Sequence, residues 1–149
     1  MKKAKDFELI DAQGAPVKLS SYWAKGPVLF VFYPGDFTPV CTAQLCDYRD
    51  NFGQFQSLGV QIVGISKDAP ERHREFAAKH GFKFPLITDA KGEVIQAWGC
   101  ASKWSFGLPS RAVCLVNGRG EIAWKYVETF AITRRRTDQL VREIREALR

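Results

Sequence analysis

Residues 28–33 read Val-Leu-Phe-Val-Phe-Tyr, a run of apolar and aromatic side chains with no polar interruption. A strand with one wet face alternates; this one does not, so both faces must be covered, as in the interior of a parallel sheet. Pro34, Gly35 and Asp36 follow as a turn, and Thr38-Pro39 then opens a segment with helical character. Thr38 suits an N-cap and Pro39 the first helical position, where a missing N–H costs nothing. A buried strand, a tight turn and a helix together deliver the first helical turn to the sheet's carboxyl edge, where open α/β sheets usually carry their chemistry. The residue delivered there is Cys41.

Free backbone N–H groups and the positive end of the helix dipole surround a first-turn cysteine, and both favour the nucleophilic thiolate. Cys46 lies five residues further on. Five residues of ideal helix separate two Cα atoms by about 8.5–9 Å, whereas a disulfide needs them within about 7 Å. Cys41 and Cys46 therefore cannot bond on one intact helix. Either they never pair, or the first turns unwind when they do.

The spacing Pro34-x-x-x-Thr38-x-x-Cys41 resembles the active-site pattern of the peroxiredoxins, thiol peroxidases that reduce hydroperoxides. The string FYPGDFTPVCTAQLCDYRD is similar to the peroxiredoxin Q, or bacterioferritin comigratory protein, subfamily. The likeness continues through LGVQIVGISKDAPERHREFAAKHGFKFPLITDAKGEVIQAWG and SRAVCLVNGRGEIAW, nearly all of residues 5–149. It implies that Cys41 is the peroxidatic nucleophile, Cys46 the resolving thiol, and Thr38 the hydroxyl that binds the peroxide. Pro34 would shape and shield the pocket, and Arg111 would sit beside the thiolate. These residue types suit peroxide chemistry, since a guanidinium stays charged and donates to breaking O–O bonds, while a hydroxyl both accepts and donates.

The cycle implied by the resemblance runs from a Cys41 sulfenic acid to a Cys41–Cys46 disulfide, reduced by thioredoxin or a glutaredoxin-like dithiol protein. It calls for no metal, flavin or haem. Arg49 has at most a supporting role. Cys114, inside the apolar strand AVCLV, reads as a core residue. Cys100 heads the segment ASKWSFGLPS, which is expected near the active site, and is a bystander, a reserve resolving thiol or a site for mixed disulfides. The four cysteines lack the close pairs of a zinc site. His73 and His80 share a helix face with Phe76 and Ala77 and read as packing or surface residues. Phe37, Trp98 and Trp104 are either pocket walls or ordinary packing.

The order is β-α-β-α, then a β-hairpin and a last helix. This predicts an α/β, thioredoxin-like fold with a central mixed sheet flanked by helices. The first helix is expected over residues 39–57 with a bend near 47–50, and the next strand over 60–65. Asp68 is expected to cap a helix that ends at Gly81. Residues 84–88 form a short strand that Pro85 places at an edge or a strand start. Asn117-Gly118-Arg119-Gly120 turns a hairpin between strands 112–116 and 122–127. Thr137 is expected to cap the last helix, with an apolar stripe of Leu140, Val141, Ile144 and Leu148. Pro109 stands where the fold often holds a cis proline.

The 149 residues predict one domain over 1–149. The absence of a signal peptide or transmembrane run points to a cytoplasmic protein that does not engage a membrane, and the subfamily resemblance points to a monomer. Net charge is +6, yet the only dense basic cluster is Arg134-Arg135-Arg136, too narrow a surface for nucleic acid. Two other functions compete. A thiol–disulfide oxidoreductase of the same fold needs Cys-x-x-Cys, which the chain lacks; a redox-switched binding module would use the same helix unwinding to expose apolar surface.

Overall fold

A computed structural model describes residues 2–100, 111–127 and 137–148. The sequence run at 28–33 becomes β3 (Val28–Phe32), every residue of it buried. It lies between β4 (Gln61–Ser66), to which it is parallel, and β6 (Ala112–Val116), to which it is antiparallel. The described residues complete a seven-stranded mixed sheet with β1 (Glu8–Asp11), β2 (Pro16–Lys18), β5 (Leu86–Thr88) and β7 (Ile122–Val127), in the order β2-β1-β5-β4-β3-β6-β7. Pro85 precedes β5 as a strand start. The β1–β2 hairpin pairs onto β5, so β5 lies inside the sheet rather than at its edge.

Successive side chains of β3 point to opposite faces and seed two cores. Leu29, Val31 and Tyr33 pack with Cys41, Leu45 and Tyr48 of α2 (Pro39–Asp50), Phe55 of α3 (Phe52–Ser57), Phe76 of α4 (Pro70–His80), and Leu140, Val141 and Ile144 of α6 (Thr137–Ala147). Val28, Phe30 and Phe32 pack on the other face with Val94 and Ile95 of α5 (Glu93–Ala97), and with Trp98, Cys100 and Cys114. Trp98 meets Phe30 and Phe32 edge-on at 5.0 and 6.0 Å between centroids. It is core on the face away from Cys41 and not a wall of that site. Cys100 lies with it and not beside Cys41, because chain direction after α5 keeps it under the far face of the sheet. The short helix α1 (Ser20–Trp23) lies between β2 and β3 in the chain.

Local rules account for most boundaries. The first helical region breaks at Asn51, whose backbone leaves the helix (φ −112°, ψ 21°) and whose amide turns back onto the Asp47 carbonyl at 2.9 Å. Gly81 ends α4 in the left-handed conformation at φ 67°, a conformation that costs other residues about 1–2 kcal/mol. Gly64 permits close approach across β4: a Cβ there would meet Leu86 Cδ2 at 2.7 Å and Tyr33 Cε1 at 3.3 Å.

Three expected caps are used differently. Asp68 does not cap α4, whose N-cap is Ala69; its carboxylate instead accepts from the Asp36 N–H at 2.6 Å and the Ser66 hydroxyl at 2.9 Å. Thr38 is the N-cap of α2 by backbone position, but its hydroxyl donates to the Gly35 carbonyl at 3.0 Å. Thr137 opens α6 and donates its hydroxyl to Asp47 on α2. Asp68 and Thr137 thus take partners from distant parts of the chain, whereas Thr38 turns back to a carbonyl three residues earlier. Pro109, Trp104 and the triplet Arg134–Arg136 lie outside the described residues.

Candidate active site

The site forms where β3 ends and α2 begins. Antiparallel pairing sets Phe32 opposite Ala112, which brings Arg111, one residue before β6, to the same sheet edge as the turn leading to Cys41. Cys41 is the third residue of α2 and is fully buried; Arg111 is 2 % exposed. The Arg111 guanidinium donates from Nη2 to Cys41 Sγ at 3.1 Å and from Nη1 to Gln44 Oε1. Gln44 in turn donates from Nε2 to the Tyr48 hydroxyl at 3.0 Å. A permanent cation therefore rests on the sulfur, and a buried amide holds the other prong of its fork. Charge-assisted donors of this kind are shorter and stronger than neutral ones.

Gln44 and Tyr48 were not among the sequence-derived candidates. The signal was present: Cys41, Gln44, Leu45 and Tyr48 fall on one helical face, and a glutamine on a buried face needs a partner.

The turn ahead of Cys41 is held from behind. The Tyr33 hydroxyl donates to Asp36 Oδ1 at 2.6 Å, and His73 Nδ1 lies 2.6 Å from Asp36 Oδ2, both Asp36 and His73 side chains being fully buried. Burial, and then the charge and hydrogen bond of Asp36, push the Tyr33 phenol well above its usual range. Arg72 donates to the Asp36 carbonyl at 3.2 Å and pairs with Asp68 at 3.4 Å. Phe37 follows at φ 62°, left-handed for a residue with a side chain. Its ring packs on Phe76 at 4.9 Å and under Arg72 and Lys79. Thr38 is exposed and Pro34 half-buried at the rim of this turn.

Cys41 and Cys46 are both free thiols on a continuous α2. Cys46 is half-buried, with Sγ 3.7 Å from His80 Nδ1. The histidines expected as surface or packing residues thus have specific partners: His73 is inside, against Asp36, and His80 touches a thiol. Arg49 pairs with Asp50 and donates to the His80 carbonyl at 2.7 Å. On the far face of the sheet, Cys100 and Cys114 are both buried, and the Cys100 thiol donates to the Trp98 carbonyl at 3.7 Å. The neighbouring Cys100 thiol and burial push the Cys114 thiol up.

The AhpC/TSA family matches residues 1–125. Among curated relatives, a chloroplastic peroxiredoxin Q of Sedum lineare is 39% identical over 124 residues, covering 83% of this chain and 66% of that one. A putative peroxiredoxin of Mycobacterium tuberculosis is 45% identical over 97 residues, covering 65% of this chain and 61% of the relative. The chain thus spans less than two thirds of the length of either. Among solved structures, peroxidoxin BcpB of Mycobacterium tuberculosis superposes with a TM-score of 0.85 at 29% identity, covering 97% of this chain and 95% of that one. The bacterioferritin comigratory protein of Xanthomonas campestris gives 0.77 at 25% identity, covering 95% and 89%. The mixed sheet and its flanking helices are those of the thioredoxin-fold peroxiredoxins.

Proposed function

Because the chain belongs to the AhpC/TSA family, we propose that it is a thiol peroxidase in which Cys41 reduces hydrogen peroxide and organic hydroperoxides. The observation that carries this reading is the buried contact of Arg111 Nη2 with Cys41 Sγ at 3.1 Å. The thiolate attacks one peroxide oxygen, the O–O bond breaks, and the leaving oxygen departs as water or alcohol once protonated. Cys41 is left as a sulfenic acid. Arg111 stays charged throughout and supplies donors where negative charge develops. Thr38 orients the peroxide and Pro34 shields it.

Cys46 condenses with the sulfenic acid, releasing water and forming the disulfide. An external dithiol protein, thioredoxin or glutaredoxin-like, then restores both thiols by exchange. Continuous helix between the two cysteines makes local unwinding of α2 part of this cycle. The Xanthomonas campestris relative is described for alkyl peroxide reduction, which supports organic hydroperoxides as substrates here. The chain acts as a cytoplasmic monomer in this reading, and light scattering in both redox states tests the monomer.

Titration of the reduced protein with one equivalent of hydrogen peroxide tests the function. A fast tryptophan-fluorescence phase, loss of two mass units and a mapped Cys41–Cys46 disulfide are expected. The same response in Cys41→Ser, or no fast phase in the unmodified protein, overturns the proposal.

A further inference from the structure

Cys46 must lose a proton before it can attack, since the thiolate is the nucleophile in disulfide formation. The contact at its sulfur is an imidazole: His80 Nδ1 lies 3.7 Å from Cys46 Sγ. Packing fixes this ring. Phe82 stacks on it at 5.6 Å and 23°, and Phe76 meets it edge-on at 5.1 Å and 79°. Its backbone is fixed as well, because Arg49, three residues beyond Cys46 on α2, donates to the His80 carbonyl at 2.7 Å. The two residues are thus presented to each other by the end of α4 and the middle of α2.

We propose that His80 is the proton acceptor for Cys46 in the step that closes the disulfide. This rests on the reading of Cys46 as the resolving thiol. While α2 is intact, His80 takes the Cys46 proton. Unwinding then carries the thiolate to Cys41, where its sulfur attacks the sulfenic sulfur. The S–S bond forms as the S–O bond breaks, and the departing hydroxide takes up a proton to leave as water. Overall one thiol and one sulfenic acid give one disulfide and one water, with His80 returned to its neutral form. The ring sits in the last turn of α4, where the negative end of the helix dipole suits an imidazole that gains a proton. Among the described residues, Cys46 on α2 is the titratable group in contact with the ring, and Arg49 on α2, paired with Asp50, reaches the His80 carbonyl. On α4 itself, the neighbouring Lys79 is directed over the Phe37 ring.

Single-turnover mixing of the full chain with one equivalent of hydrogen peroxide separates Cys41 oxidation from disulfide closure. Rapid quenching into a sulfenic-acid trap and intact mass follow the second step. His80→Phe preserves the ring packing without a proton acceptor, and His80→Asn provides a second variant of different shape. Both are expected to oxidise Cys41 normally and to close the disulfide about 100-fold more slowly near neutral pH, the lower end of the range for a general base. Loss of the proton acceptor should also change the pH profile of closure between the unmodified protein and the variants.

Closure at an unchanged rate in both variants overturns the proposal. So does slower closure with an unchanged pH profile, which assigns His80 to packing alone. Cys46→Ser, run in parallel, separates the two levels of argument. A stable sulfenic acid in that variant keeps the reading of Cys46 standing whatever His80 does; an intramolecular disulfide that still forms removes the reading and the proposal with it.

Discussion

Gln44→Leu removes hydrogen bonds from the centre of the site while nearly preserving side-chain volume. Gln44 is 1 % exposed and bridges Arg111 to Tyr48. The bond from the guanidinium belongs to the class worth about 1.5–3 kcal/mol, and the neutral bond to the Tyr48 hydroxyl contributes about 0.5–1.5 kcal/mol. Arg111 and Tyr48 both keep other interactions, so the lower end applies, about 2 kcal/mol of stability. The effect on rate follows from geometry. With one prong released, the guanidinium still bears on Cys41 but is less sharply aimed. Complete loss of a transition-state donor costs about 10²–10³ in rate, so a loosened one should cost about tenfold, or about 1.4 kcal/mol. Urea unfolding of the reduced protein measures the first quantity, and stopped-flow oxidation under excess peroxide measures the second. A variant that loses the stability but oxidises at the original rate refutes the idea that Gln44 aims Arg111. One that loses neither refutes the bridge itself.

Arg111→Lys keeps the charge but cannot reach Cys41 and Gln44 at once, so peroxide oxidation should slow by about 10²-fold, read by the same stopped-flow assay; an equal rate would reduce Arg111 to a point charge. Tyr33→Phe tests the alkaline limb of stability. The folded-state phenol titrates above its unfolded value, so its contribution is complete below about pH 10 and declines as pH rises beyond it. Urea midpoints from about pH 8 to 11 should fall less steeply in the variant, and parallel curves would remove Tyr33 from that limb. Gly64→Ala forces a methyl group into Leu86 and Tyr33 and should cost about 1–3 kcal/mol, visible as a lower thermal midpoint.

The strand 28–32 and the hairpin between 112–116 and 122–127 follow from residue pattern alone, because uninterrupted apolar runs and an Asn-Gly turn leave few alternatives. The placement of Cys41 follows from the same logic. Side-chain destinations were less legible. Asp68 and Thr137 each satisfy the local rule for a cap, yet each finds a partner supplied by folding; Asp36 lies 32 residues from Asp68, and Asp47 lies 90 from Thr137. The helix α5, five residues long, is too short for a periodic signal. His80 shows the limit most clearly. Its ring belongs to an aromatic cluster with Phe76 and Phe82, as its spacing from Phe76 indicates, but the thiol it touches comes from another helix.

The sheet that divides the two cores also divides the thiols. Cys41 shares a face with Leu29 and Val31; Cys100 and Cys114 share the opposite one with Phe30 and Phe32. A layer of paired backbone acts here as insulation between two redox compartments within one small chain. Folded molecules can exchange electrons within a compartment, while a bridge from Cys41 to Cys100 demands that the barrier itself come apart. Such an intramolecular crosslink, found in oxidised material, is a forensic mark of molecules whose fold had opened before the bridge closed.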